Sequence, residues 1–312
     1  MKNPIKVTTL IPITERFDPV KELYFDYKSS LEDIGYDFEI IYIIDGDYPT
    51  VLSELTELKK EGENIKIIKL ARWFGEATAI TVGFDNSDGD MILTLPAYRQ
   101  VDSSELSKLF SKINDHDMVI AQRARNNDSL FNKLQSSLFH FPIKYFTKVE
   151  FHDLGCGVRL FKRKVLEELS LYGDQHRFLP LLAYRQGFKI VEVNISQAQT
   201  DKKIKIYMPG IYLRRFLDIV SAFFLFKFTK KPLRFFGLFG STVLGIGMIL
   251  FLYIIIERFF FNIPLSERPM LLVSTLSILL GIQLFAIGLI GEIIIFTHAK
   301  ELKEYTIEKI IN

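Results

Sequence analysis

The chain has a single cysteine, Cys156, among its 312 residues, so no disulfide forms within it. A reducing, cytosol-facing environment fits that usage. Large net charge is also missing: 39 Lys and Arg against 37 Asp and Glu leave +2. That balance excludes a nucleic-acid binder driven by gross positive charge, and no nucleic-acid partner is expected. The usual signatures of phosphate-loop, dinucleotide, serine-nucleophile and zinc chemistry are absent as well. The five histidines (116, 140, 152, 176 and 298) are scattered. Only His152, beside Asp153, invites a closer look, and a structural or surface role competes with any chemical one. Cys156 reads as a small buried residue rather than a nucleophile. The N-terminus, "MKNPIKVTTLIPITERFDP", lacks the long apolar run of a signal peptide and reads instead as a strand.

Two stretches lack charge altogether, Phe235–Ile256 and Met270–Gly291. Each is close to the ~20 residues that cross a bilayer as a helix. Two transmembrane helices are therefore expected, over about 235–256 and 270–292. The loop between them, "ERFFFNIPLSERP", holds only Arg258 and Arg268 as basic residues. The flanks hold Lys227, Lys230, Lys231 and Arg234 on one side and Lys300, Lys303 and Lys309 on the other. Positive-inside reasoning places both termini and the N-terminal domain in the cytoplasm, on an integral inner or plasma membrane protein. The stretch "MPGIYLRRFLDIVSAFFLFKFTKKPLRFF" interleaves aromatic residues with Arg214, Arg215, Lys227, Lys230 and Lys231, as a helix lying in the membrane interface does. Glu292 either snorkels to the interface or pairs helices or meets a lipid headgroup. Gly237, Gly240, Gly245, Gly247, Gly288 and Gly291 permit close helix packing in a homo-oligomer. Two spans alone argue against a transporter or channel. The organisation read from the chain is a soluble domain over 1–205, an amphipathic juxtamembrane segment over 206–234, two transmembrane helices within 235–297 and a cytoplasmic tail over 298–312.

Within the soluble part, short β-branched runs at 5–11, 38–44, 64–69, 91–95 and 117–121 alternate with helical spacing, as in 17–33 and 102–113. That alternation predicts an α/β domain with a mostly parallel sheet covered on both faces. Such sheets place ligands at the carboxyl ends of their strands. Those ends are Pro12, Ile13, Thr14 and Glu15; Asp45 and Asp47; Ala71–Glu76 with Arg72; Pro96–Gln100; and Gln122–Arg125 with Arg123 and Arg125. Several arginines on one rim point to an anionic ligand, because guanidinium forks match phosphate oxygens.

Those segments resemble the membrane-anchored, family-two glycosyltransferases that load sugars onto polyprenyl phosphate, the dolichyl-phosphate mannose or glucose synthase type. "LIPITE" and "IIDGD" stand at the family's first two strand ends. "ARWFGEATAITVGFDNSDGDMILTL" is similar to its R-N-F-G segment and the strand that follows. "HDLGCGVRLFKRKVLEEL" is similar to its D-x-x-C-G-F-x-L-F pattern, and "RFLPLLAYRQGFKIVEV", "KKPLRFFGLFG" and "GIQLFAIGLIGEI" follow in order. The resemblance implies a GT-A (Rossmann-like) nucleotide-sugar domain. It also implies an inverting transfer from a UDP- or GDP-sugar to a polyprenyl-phosphate lipid at the cytoplasmic membrane face, serving an envelope or extracytoplasmic glycosylation pathway. Donor-binding residues would be Pro12, Ile13, Thr14, Glu15, Asp45, Asp47, Arg72, Tyr98 and Gln100. Phosphate and acceptor binding would fall to Arg123, Arg125, Arg159, Arg177, Lys202 and Lys205.

The chain departs from the family at the metal. Where the family carries D-x-D, this chain has Pro96, Ala97 and Tyr98, and neither Pro nor Tyr replaces a hard-cation carboxylate for Mg²⁺ or Mn²⁺. The first aspartate of the earlier pair is Ile44, and the late R-x-x-G-x-S-K-Y is "QTDKKIKIY". Three readings follow. A metal-independent transferase would use Arg99, Lys202 or Lys205 for the metal's charge, with Asp153 near the acceptor, making Asp153 and Arg99 the catalytic pair. A displaced metal site would draw on Asp88, Asp90 or Asp102. A non-catalytic relative would bind nucleotide sugar or lipid phosphate, or scaffold a partner enzyme.

Overall fold

The structure, a computed structural model, describes residues 5–124, 151–169, 173–202, 232–262, 264 and 268–298. The polypeptide divides into two compact units, one built on the N-terminal 200 or so residues and one on the two C-terminal helices.

The first unit is a seven-stranded sheet in the order β3-β2-β1-β4-β6-β5-β7. Its strands are β1 (Lys6–Ile13), β2 (Asp37–Ile44), β3 (Ile65–Lys69), β4 (Met91–Thr94), β5 (Met118–Ala124), β6 (Arg159–Lys162) and β7 (Ile190–Ser196). All neighbours run parallel except β6, which lies antiparallel between β4 and β5. Every residue of β1 from Val7 to Ile13 is buried, as a central parallel strand covered on both faces requires. One face is closed by α1 (Val20–Ile34), α2 (Pro49–Lys60) and the short α4 (Ser107–Phe110), whose apolar residues meet Ile11, Tyr42 and Leu93 in a single core. On the other face, α3 (Glu76–Asp85) packs on β1 and β2. It approaches so closely that a Cβ on Gly83 would stand 2.8 Å from Ile43 Cδ1 and 3.0 Å from Leu10 Cδ2. Two further short helices, α5 (Lys164–Glu168) and α6 (Leu179–Arg185), follow β6.

The expected strands are all present. The helix expected over 102–113 is instead a 3₁₀ turn at Ser103–Glu105 followed by α4. Asp102 caps that turn by accepting from Ser104 N at 3.1 Å, so its carboxylate is turned to the backbone. The strands β6 and β7 arise from the "GVRLFKRK" and "GFKIVEV" stretches, where lysines and arginines obscure the apolar alternation.

The second unit is a helical hairpin of α7 (Pro232–Phe261) and α8 (Pro269–His298). Both helices are long and apolar enough to cross a membrane. Its seam is spaced by sevens: Gly240, Gly247 and Ile254 are buried on α7, and Ser274, Gly281 and Gly288 on α8. A strict seven-residue repeat keeps one stripe facing the partner. A Cβ on Gly240 would stand 2.8 Å from Gly281 O, and one on Gly247 3.0 Å from Ser274 O. Gly288 faces Gly237 N and Gly291 faces Pro232 in the same way. Contact within the chain accounts for the close approach at these glycines. Only Gly245 of that set looks into open space. Glu292 does not merely snorkel: its carboxylate accepts from Leu233 N at 3.3 Å, at the start of α7.

Candidate active site at the carboxyl edge of the sheet

The parallel strands β1, β2, β3, β4, β5 and β7 end on one edge, and the loop entering the antiparallel β6 reaches the same edge. The loop Pro96–Gln100 is fixed there from below by α1. Tyr27 Oη donates to Pro96 O at 3.0 Å and to Tyr98 O at 3.3 Å. Asp18 N donates to Ala97 O at 2.8 Å, and the Asp18 carboxylate accepts from Arg99 N at 2.8 Å. Gln100, buried, staples this loop to the next: its Nε2 donates to Tyr98 Oη at 2.9 Å, and its Oε1 accepts from Gly157 N at 2.8 Å. Such a two-sided polar network rigidifies a site when every member is satisfied.

Above that floor runs a chain of alternating charges. Arg123, at the end of β5, grips Asp153 through Nε at 2.6 Å and Nη2 at 2.9 Å. Its Nη1 meets Asp201 Oδ2 at 3.2 Å. The other oxygen of Asp201 accepts from Arg16 Nη1 at 2.8 Å. Arg16 in turn stands over the Tyr98 ring, its Cζ 3.7 Å from the centroid. The order is Arg16–Asp201–Arg123–Asp153, joining the loops after β1, after β7, at β5 and before β6. Arg123 is mostly buried, which works against its charge, but the bond to Asp153 prevails and holds the guanidinium protonated above its ordinary range. Burial pushes the Tyr98 phenol up to about 12, further from the physiological range in which any phenol is already neutral. Burial likewise pushes the Cys156 thiol up to about 12, and its sulfur donates to Gln100 Oε1 at 3.4 Å. It is inert, as a buried thiol is.

The structure brings Tyr98, Gln100, Arg123 and Asp153 together, and adds Arg16 and Asp201, which sequence reasoning missed. Both were close at hand: Arg16 follows "PITE" directly, and Asp201 lies inside "QTDKKIKIY". Arg99 is a correction. Its guanidinium turns back onto α1, bonding Asp26 Oδ2 from Nε at 2.7 Å, with Glu22 at 3.6 Å, so it is not the spare cation beside the lost motif. Arg159 is a second correction. It is buried, and its guanidinium donates to the carbonyls of Leu154 and His176, so it supports the loop rather than meeting a solvent-borne phosphate. Pro12 and Ile13 are buried within β1 and offer the rim no side chain. Asp45 is buried and accepts from Phe74 N and Gly75 N, both at 2.7 Å, fixing the loop that opens α3. Thr14 and Glu15 form the bend after β1. Asp47 is exposed and faces Lys69 at 3.3 Å. Arg72 is exposed, over the Phe74 ring. Arg177 is exposed in the 3₁₀ turn Gly173–Phe178, and Lys202 ends the turn Gln199–Lys202. Arg125 and Lys205 lie outside the described residues. His152 binds Glu192 on β7 through Nδ1 at 2.8 Å, a structural tie.

The donor set does not suit a divalent cation. Mg²⁺ and Mn²⁺ prefer carboxylate and water oxygens. Among the described residues no group of three or more His, Cys, Asp or Glu side chains is placed to hold a metal. Both oxygens of Asp153 are engaged by Arg123. Asp88 and Asp90 lie at the opposite end of β1 and β4, bound to Lys6 Nζ at 2.5 Å and Lys6 N at 3.1 Å.

Comparison with known proteins bears on the family and the fold. Residues 10–170 match the model of glycosyl transferase family 2. The dodecaprenyl-phosphate galacturonate synthase of Rhizobium johnstonii is 24% identical over 95% of this chain and 90% of its own. The undecaprenyl-phosphate 4-deoxy-4-formamido-L-arabinose transferase of Enterobacter sp. is 27% identical over 98% of this chain and 94% of its own. Among solved structures, mannosyl-3-phosphoglycerate synthase from Rubrobacter xylanophilus superposes with a TM-score of 0.56 at 11% identity, over 70% of this chain and 73% of that one. Glucosyl-3-phosphoglycerate synthase from Mycobacterium tuberculosis does so with 0.51 at 12%, over 70% and 79%. These last two bear on the fold alone, a GT-A sheet. The match covers more than half the chain and takes in the ends of β1 to β5 and the loop before β6: the protein belongs to glycosyl transferase family 2.

Proposed function

We propose that this enzyme transfers a sugar from a nucleotide sugar to a polyprenyl phosphate, with inversion, at the cytoplasmic face of the membrane. One observation carries the reading. The likeness to two transferases named for dodecaprenyl and undecaprenyl phosphate runs nearly end to end, so it takes in the apolar hairpin as well as the sugar-nucleotide fold. A lipid acceptor needs a membrane-bound enzyme, and the hairpin supplies the means of attachment.

In the reaction, a phosphate oxygen of the acceptor bonds to the anomeric carbon while the bond to the nucleoside diphosphate breaks. The acceptor is ionised at neutral pH, so no strong base is required. The need is to hold two anions close and to stabilise the leaving diphosphate. The charged chain at the sheet edge suits that task. Asp153 acts there as a positioning residue through Arg123. Donor contacts are assigned to Thr14, Glu15, Asp47, Arg72, Tyr98 and Gln100, and acceptor contacts to Arg123, Arg125, Lys202 and Lys205. Both termini face the cytoplasm in this reading.

The test uses the full chain in detergent with polyprenyl phosphate and a panel of UDP- and GDP-sugars, with Mg²⁺, with Mn²⁺ and with EDTA. Lipid-phosphate sugar is the expected product. Nucleotide binding without turnover under every condition would return the chain to a binding role.

A further inference from the structure

We propose that Arg16, stacked on Tyr98, takes the charge of the leaving nucleoside diphosphate in place of a divalent cation. This rests on the transferase reading and names the group that does the electrostatic work there.

The argument begins with position. Tyr98 is the third residue of the loop after β4, where the family resemblance puts the second metal-binding carboxylate. Its ring does not leave that place empty: it is the platform for a guanidinium at 3.7 Å. A planar guanidinium stacks on an aromatic face and is more weakly hydrated than an ammonium, so it tolerates such a seat. A phenol, neutral at physiological pH, is a poor ligand for a hard dication. Ring and cation thus replace carboxylate and metal.

The second part of the argument is orientation. Arg16 has five N–H donors in a fixed fork. Asp201 takes one edge at 2.8 Å and the Tyr98 ring covers one face. The side chain is still 38% exposed, at the open edge of the sheet. A diphosphate is the anion whose paired oxygens match such a fork. Arg99, the neighbouring candidate, is held on α1 by Asp26 and Glu22 and does not share this geometry.

The experiment measures binding of UDP and of GDP to the full-length protein in detergent by calorimetry, in EDTA and then with Mg²⁺ or Mn²⁺. Thermal unfolding of each variant checks that the fold is kept. The wild type is expected to bind one of the two nucleotides in EDTA, with less than threefold tightening by metal. Arg16→Ala is expected to weaken that binding at least tenfold, Arg16→Lys to fall between, and Tyr98→Leu to weaken it by removing the platform. Arg99→Ala is expected to stay within twofold of wild type. Binding by folded Arg16→Ala at the wild-type level, or binding by the wild type only with metal, overturns the proposal. The turnover assay separates this from the parent reading. Nucleotide binding through Arg16 without any lipid-linked product defeats the transfer and leaves the anion site. Product formed equally by wild type and Arg16→Ala defeats the anion site and leaves the transfer.

Discussion

Replacing Asp153 tests the most consequential contact at the sheet edge, because family resemblance makes it catalytic and the structure makes it the partner of Arg123. The side chains are 4% and 11% exposed, and two guanidinium bonds of 2.6 and 2.9 Å join them. Arg123 N adds a third at 3.2 Å. Asp153→Ala removes all three and leaves the mostly buried guanidinium with Asp201 as its remaining carboxylate partner among the described residues. Breaking one side of a buried pair costs about 3–5 kcal/mol. Asp153→Asn keeps the shape and an acceptor oxygen and costs roughly half of that, because a hydrogen bond to a charge survives. For a unit of this size 1 kcal/mol moves the melting temperature by roughly 2–4 °C, so Asp153→Ala lowers it by roughly 6–20 °C. The assay is thermal unfolding of the full chain in detergent, alone and with nucleotide. The double variant Asp153→Ala/Arg123→Met, which removes both charges, recovers most of the loss. A melting point for Asp153→Ala within about 2 °C of wild type refutes the reasoning, as does a double variant less stable than the single.

Three other perturbations bear on separate parts of the molecule. A Cβ on Gly281 would stand 2.6 Å from Leu244 N, so Gly281→Val forces α7 and α8 apart and lowers the melting temperature in detergent, while Gly245→Val, in open space, does not. Glu292→Ala uncaps α7 at Leu233 and costs about 1 kcal/mol by the same measurement, with Glu292→Gln retaining most of it. Burial, with Arg159 and Arg177 nearby, holds the His176 imidazole down to about 3, against the opposing pull of the Glu76 carboxylate 3.3 Å from its Nε2. Between about pH 6.5 and 3 the unfolded chain therefore binds a proton that the folded chain refuses, and stability falls as pH drops through that window, by up to about 1.4 kcal/mol per pH unit. Melting curves from pH 7 to 5 show a shallower decline for His176→Asn.

The fold was legible because its signals are local. Parallel strands buried on both faces, such as β1 and β2, are unbroken apolar runs, and Phe235–Ile256 has no charge to misread. The site was legible only as a list of rim residues. Whether Arg99 or Arg16 faces the ligand depends on Asp26 and Glu22, one turn apart on α1, and on Asp201, which lies 185 residues beyond Arg16. Sequence spacing holds no trace of such pairings. The hairpin was legible in a different way. Its glycines read correctly as sites of close approach, but pattern alone does not say whether the approaching helix belongs to the same chain.

The charge balance at the sheet edge orders the events of catalysis. Arg16, Asp201, Arg123 and Asp153 sum to zero, so the described cluster has no standing excess of positive charge for a diphosphate. An incoming anion must compete with a carboxylate for either guanidinium, and it succeeds most readily where that carboxylate is least firmly held. Asp201 is the carboxylate in that position, shared by Arg16 and Arg123 and carried by the 3₁₀ turn Gln199–Lys202. Asp153, gripped on two nitrogens, is the harder to displace. Donor binding should therefore loosen Asp201 and leave Asp153 in place. Asp201→Asn weakens the competitor without removing a cation, and it should tighten UDP or GDP binding in EDTA several-fold while lowering stability less than Asp153→Asn does. Calorimetry and melting curves on the same two variants decide it. Weaker nucleotide binding by Asp201→Asn means that the carboxylate holds Arg16 for the ligand rather than contesting it.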